Sequence, residues 1–120
     1  MAEHHALGQW GEEVAADYLR RKGYTIVERD WKSGHRDLDI VAWNEDSQTL
    51  VFVEVKTRRN RMFTDPEQAV NYQKMHHLRQ AANHYVKCRC VNSDIRFDVI
   101  TVVGTPPTEP EIEHIEDFQW

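Results

Sequence analysis

Asp37-Leu38-Asp39-Ile40-Val41-Ala42-Trp43, then the polar turn Asn44-Glu45-Asp46-Ser47-Gln48, then Leu50-Val51-Phe52-Val53-Glu54-Val55-Lys56-Thr57, read as two strands joined by a short turn. Alternate side chains of an extended strand share a face, so Glu54 and Lys56 project to one side and Val51, Val53 and Val55 to the other. Asp37 and Asp39 likewise share a face of the first strand. If the two runs pair as a hairpin, one register brings Asp39 beside Glu54, and two carboxylates and an amine converge on one patch. A plain cross-strand charge pair on a solvated face is the competing reading. Against it, Glu54 and Lys56 end a run that is otherwise β-branched or aromatic, as in a strand buried on both faces. Charges in such a strand need partners or a metal.

The whole chain sets bounds on that patch. Its 120 residues are expected to form one domain, spanning 1–120 with a core over about 7–103 and a C-terminal segment that packs on or extends the sheet. No apolar run approaches a membrane span, and Met1-Ala2-Glu3-His4-His5 lacks the basic and apolar regions of a signal peptide, so a cytoplasmic protein with no membrane partner is expected. Cys88 and Cys90 flank Arg89, a spacing that makes a poor disulfide and half of a zinc site at most; free thiols are expected. The His4-His5 and His76-His77 pairs are weak metal signals, because adjacent helical residues point in different directions. A net charge of -5 argues against indiscriminate nucleic-acid binding by the whole surface. Its distribution says more: Lys56, Arg58, Arg59 and Arg61 crowd directly after the carboxylate strand, whereas acidic residues collect in the tail.

Working outward, Leu7, Trp10, Val14, Ala15, Tyr18 and Leu19 recur at helical spacing, which predicts an amphipathic helix over 7–22 stopped by Gly23. Gly8 and Gly11 each weaken that helix by roughly 1 kcal/mol relative to alanine, which suggests that something approaches closely there. Glu12 and Glu13 both flank the apolar stripe, and the helical wheel does not choose between them. A short strand is predicted over Tyr24–Val27, followed by a polar stretch to a turn at Ser33-Gly34. Asp65-Pro66-Glu67 reads as the start of a second helix reaching about Val86, with Val70, Leu78, Ala81, Ala82 and Tyr85 on its apolar stripe and Met75 at the edge. Lys74 falls inside that stripe, either snorkelling outward or serving a site. Ile95–Val103 alternates as a strand, and Ile112, Ile115 and Phe118 form a last strand or a helical turn. The order predicts a mixed sheet with helices packed against it.

Taken together, Gly8-Gln9-Trp10-Gly11-Glu12, Asp37-Leu38-Asp39, Val51-Phe52-Val53-Glu54-Val55-Lys56-Thr57-Arg58, Lys74 and Arg96-Phe97-Asp98-Val99-Ile100 closely resemble the bacterial YraN-like family. That family is similar to archaeal Holliday junction resolvases and to the wider PD-(D/E)XK nuclease superfamily. The resemblance implies a restriction-endonuclease-like α/β fold, a mixed central β-sheet flanked by helices. It also implies Asp39 as the motif aspartate, Glu54 and Lys56 as the Glu-x-Lys, Glu12 as the helix carboxylate and Lys74 as the lysine of the second long helix. Where the family usually has Gly-Glu this chain has Arg36-Asp37, which leaves the role of Asp37 open. The implied chemistry is a Mg²⁺ or Mn²⁺ dependent endonuclease acting on branched or otherwise structured DNA. Asp39, Glu54, the Val55 carbonyl and Glu12 would hold the metal, Lys56 would serve the attacking water, and Arg58, Arg59, Arg61 and Lys74 would grip flanking phosphates. A homodimer is expected by the same analogy, since two symmetric cuts need two sites. The alternative is a nucleic-acid-binding module that keeps the fold without turnover.

Overall fold

The computed structural model describes residues 2–60 and 72–118. Helix α1 spans Ala2–Arg21, β1 Thr25–Ser33, β2 Arg36–Asn44, β3 Thr49–Arg58, helix α2 Tyr72–Cys88, β4 Asp94–Val103 and β5 Glu111–Ile115. The five strands form one sheet in the order β1-β2-β3-β4-β5. Neighbours are antiparallel except β3 and β4, which run parallel from Thr49 with Asp94 to Arg58 with Val103. A parallel pair needs a crossover, and α2 lies within it. The expected mixed sheet flanked by helices is therefore observed, with α1 and α2 on opposite faces, as a restriction-endonuclease-like α/β architecture.

Strand β3 separates two cores. Val51 and Val53 face α1, in a cluster with Ala15, Ala16, Leu19, Ile40, Ala42, Ile100 and Val102, and Val55 packs against it. Leu50 and Phe52 face α2, among Leu38, Val41, Met75, Leu78, Ala81, Ala82, Tyr85 and Val99. Burial on both faces is what the unbroken β-branched and aromatic run anticipates. Met75, placed at the edge of the α2 stripe by periodicity, is wholly buried. The predicted start of α2 at Asp65-Pro66-Glu67, and Val70, lie outside the described residues.

Two boundaries differ from the sequence reading. Helix α1 begins at Ala2, ahead of the first periodic apolar residue Leu7. It ends as anticipated at Gly23, which adopts φ +94° while Gly23 N donates to Arg20 O and Tyr24 N to Leu19 O. Strand β1 does not stop at Val27 but continues to Ser33 through a bulge between Ile26 and Glu28. The ladder to β2 overrides the polar composition of 28–33. As an edge strand β1 keeps those side chains near water, where Arg29 pairs with Glu13 at 2.7 Å and Glu28 with Arg89 at 2.9 Å. The last element resolves as a strand, β5, antiparallel to β4.

In the middle of β4, level with Val53 of β3, wholly buried Asp98 is held by four donors. Arg96 Nε and Nη2 reach its two oxygens at 2.9 and 2.8 Å, Asp117 N donates at 3.0 Å, and His114 Nε2 lies at 2.7 Å. Arg96 Nη2 also donates to the Tyr24 hydroxyl, and Tyr18 Oη meets His114 Nδ1. Burial alone would raise the Asp98 pKa, but the hydrogen bonds from His114 and Arg96 outweigh it and the carboxyl sits below its ordinary value. This network ties the C-terminal residues to α1 and β4.

The two helix glycines separate cleanly. A Cβ at Gly11 would overlap the Thr57 Oγ1 and come within 2.8 Å of Thr57 Cγ2 and 2.9 Å of its Cβ, whereas a Cβ at Gly8 meets nothing within 4 Å. Gly11 is thus where α1 touches β3. We predict that Gly11→Ala destabilises by about 1–3 kcal/mol through overpacking, while Gly8→Ala stabilises by up to about 1 kcal/mol through helix propensity. Urea unfolding of the two variants measures both signs.

Candidate active site

The carboxyl-terminal ends of the parallel strands β3 and β4 are where open α/β sheets place ligands. Here that end also receives the start of β2 and the first described turn of α2. The β2–β3 ladder has its last register pair at Ile40 and Val53. One step further in the same register Asp39 stands level with Glu54, and the Val55 N–H donates to Asp39 Oδ2 at 2.9 Å. A side-chain carboxylate thus replaces the β2 backbone as the acceptor for β3. Because N–H and C=O of an extended residue point to the same edge, the Val55 carbonyl is turned toward this opening as well.

Burial pushes the Asp39 carboxyl well above the usual carboxylate range, and the charges of Glu54, Glu12 and Asp37 push the same way against the Val55 hydrogen bond. Glu54 is only 6% exposed. Its Oε2 lies 3.5 Å from Lys56 Nζ and 3.3 Å from Lys74 Nζ. Glu54 raises the Lys74 amine above its ordinary value, against the opposing effect of burial. Lys74 is therefore neither buried in the apolar stripe nor turned away to solvent. Its partly exposed side chain carries the amine to Glu54 on the sheet.

Glu12 and Glu13, indistinguishable on the wheel, take different partners. Glu13 is an exposed partner of Arg29. The half-buried Glu12 carboxyl shares a hydrogen bond with Asp30 of β1; burial first, then that bond and the Asp30 charge, raise its pKa to about 7. The charge of Glu12 is felt at Asp39, but its carboxyl is engaged with β1. Arg58 is half-buried, with Nη1 donating to the Thr57 carbonyl, and Arg59 is exposed just beyond β3. Arg61 lies outside the described residues. Asp37 is exposed, in the wall of a cleft of about 350 Å³ between the β1–β2 turn and α2, from where its charge adds to the rise at Asp39. That cleft borders Glu54 and Lys74 and brings in Arg36 and Gln80, which no motif or periodicity marks for a site, and His77, which the sequence marks only as half of a weak metal signal.

Asp39, Glu54 and the Val55 carbonyl are hard oxygen donors, the kind Mg²⁺ and Mn²⁺ prefer. No group of three or more His, Cys, Asp and Glu side chains among the described residues is gathered tightly enough to hold an ion. Mg²⁺ commonly takes one or two carboxylates and completes its shell with water and substrate phosphate, so the pair fits such an ion without a third.

Fold and site together define an α/β protein of restriction-endonuclease-like architecture with a carboxylate pair and two lysines at the carboxyl end of its central strand. The chain belongs to the uncharacterised protein family UPF0102, whose model matches residues 11–102. It is similar to a UPF0102 protein of Bacteroides thetaiotaomicron, 45% identical over 117 residues that cover 98% of this chain and 94% of that protein. A UPF0102 protein of Phocaeicola vulgatus is 46% identical over 119 residues, with 98% and 94% covered. One from Syntrophomonas wolfei is 44% identical over 110 residues, with 91% and 93% covered. Among the described residues no helix is long and apolar enough to cross a membrane.

The Glu12–Asp30 contact sets a pH dependence. A carboxyl raised from 4.5 to about 7 in the folded state stabilises the fold fully below about 4.5, and that contribution is lost as pH rises to about 7 and beyond. Glu12→Gln should flatten the stability profile over this window, with its largest gain over wild type above pH 7, read as the urea midpoint against pH. An unchanged slope would show that Glu12 titrates normally.

Proposed function

We propose that this chain is a Mg²⁺ or Mn²⁺ dependent endonuclease that hydrolyses phosphodiester bonds in DNA, with branched or otherwise structured DNA as its substrate class. The observation that carries this reading is the approach of Asp39 and Glu54 where the β2–β3 ladder stops, with Lys56 beside them on the strand. Two carboxylates side by side in a buried setting are electrostatically unfavourable unless a cation joins them, and Asp39 is raised first by burial and then by the Glu54 charge. A divalent ion held by Asp39, Glu54 and the Val55 carbonyl would offset the phosphodiester charge and lower the pKa of a bound water. Glu54 holds Lys56 at the strand end, where its ammonium donates to the attacking water or to a phosphoryl oxygen that gains charge in the transition state. Lys74, Arg58 and Arg59 supply cations for flanking phosphates, a local basic edge on an acidic protein. Glu12 acts from outside the carboxylate pair, through its charge and through water. Two copies of the chain would serve two symmetric cuts.

One observation favours the second reading, a binding module of the same fold without turnover. Glu54 already has two ammonium partners, so its negative charge is answered without a metal.

Cleavage of a labelled four-way junction and of duplex DNA, in Mg²⁺, Mn²⁺ or EDTA, separates the two. Wild type should cut only with metal. Asp39→Asn and Glu54→Gln should abolish cutting, and Lys56→Ala should slow it by about 10²–10⁴. Salt-sensitive binding with no cutting in either metal would establish the module instead. Equal cutting by Glu54→Gln would place the activity outside this site.

A further inference from the structure

We infer that the cleft between the β1–β2 turn and α2 is a pocket for one unpaired nucleobase of the strand bound at Asp39 and Glu54, an assignment that rests on the nucleic-acid reading above. Size comes first. At about 350 Å³ the cleft is at the low end of the ~300–1,000 Å³ of small-molecule sites, room for a single base with its sugar and not for a duplex.

Charge comes second. The wall carries two cations, Arg36 and Lys74, against two carboxylates, Asp37 and Glu54. A balanced wall does not select a phosphate, unlike the run of Lys56, Arg58 and Arg59 beyond it. It suits an uncharged ring with amino and carbonyl edges, because carboxylates accept from exocyclic amino groups and glutamine and arginine pair with base edges.

Third, beside the Lys74–Glu54 pair, three polar groups of the wall are uncommitted among the described residues. The side chains of Arg36, His77 and Gln80 make no hydrogen bond or ion pair among the described residues. On α2, Lys74, His77 and Gln80 follow at intervals of three and line one side of the cleft, while Arg36 and Asp37 face them from β2. His77 offers a ring for stacking and Gln80 an amide for a base edge. Since Glu54 belongs both to the cleft and to the carboxylate pair, a base held here is a neighbour of the scissile phosphate. Taking a base out of a paired stack costs a few kcal/mol, and least for one already unpaired. The cleft would therefore select DNA with an unpaired nucleotide beside the cut, which gives the preference for structured substrates a physical source.

The test is binding, with Ca²⁺ as the divalent ion so that no turnover is needed. Two labelled probes are compared: a fully paired duplex, and the same duplex carrying one extra unpaired 2-aminopurine. Wild type should bind the second about ten-fold more tightly, about 1.4 kcal/mol, with a change in 2-aminopurine fluorescence on binding. In the His77→Ala/Gln80→Ala double variant the ratio should fall to within about two-fold of unity and the fluorescence change should disappear. Both side chains are exposed, and an unchanged thermal midpoint would show that the fold is intact. Equal affinity of wild type for both probes, or a ratio unmoved in the variant, overturns the pocket and leaves the nuclease reading standing. No binding of either probe overturns the nucleic-acid reading and the pocket with it.

Discussion

The site depends on one broken ladder. Strands β2 and β3 pair regularly up to Ile40 and Val53, and there a side chain takes over from the backbone, with Asp39 accepting the Val55 N–H. A buried N–H without an acceptor is costly, so this bond holds Asp39 in place. It also fixes the carboxylate level with Glu54 and turns the Val55 carbonyl toward the same opening. The geometry that satisfies the strand is the one that assembles the charged patch.

Around that point the fold sets two electrostatic regimes on the strands flanking β3, since Val53 pairs with Ile40 of β2 on one side and with Asp98 of β4 on the other. Asp98 is fully buried yet saturated with donors, and its pKa falls. Asp39 has one hydrogen bond among the described residues; burial and its carboxylate neighbours raise its pKa. The first is a lock, joining α1, β4, β5 and the residues after β5. The second is a group whose surroundings favour a further positive charge. Burial opposes ionisation at both, and the partners decide the outcome. Further along β3, Gly11 lets α1 approach closely at Thr57, and the charge of the next residue, Glu12, is felt at Asp39.

Much of this was legible in the sequence. The alternation of Val51, Val53 and Val55 with Phe52, Glu54 and Lys56 marks the faces of β3, while Asp39 beside Glu54 was one register among those a hairpin allows, and the ladder through Ile40 and Val53 selects it. Lys74 was conspicuous because it broke an apolar stripe, although only the structure shows its amine at Glu54. Other features had no local signal. Strand β1 runs past Val27 because β2 offers it a ladder, which composition does not record. The choice between Glu12 and Glu13 is made by Asp30 and Arg29, on another element. The Asp98 network joins residues from Tyr18 to Asp117, and its members look ordinary one at a time. Gly8 and Gly11 look alike in sequence, and only the neighbouring strand separates them.

The central claim is that Asp39 and Glu54 form a single site for a divalent ion, and a Mn²⁺ titration followed by electron paramagnetic resonance tests it without reference to activity. The account predicts one Mn²⁺ bound per chain by wild type, displaced by excess Mg²⁺ and lost in both Asp39→Asn and Glu54→Gln proteins that remain folded. Wild type that leaves Mn²⁺ free in solution, or binds it as well after either substitution, would contradict it.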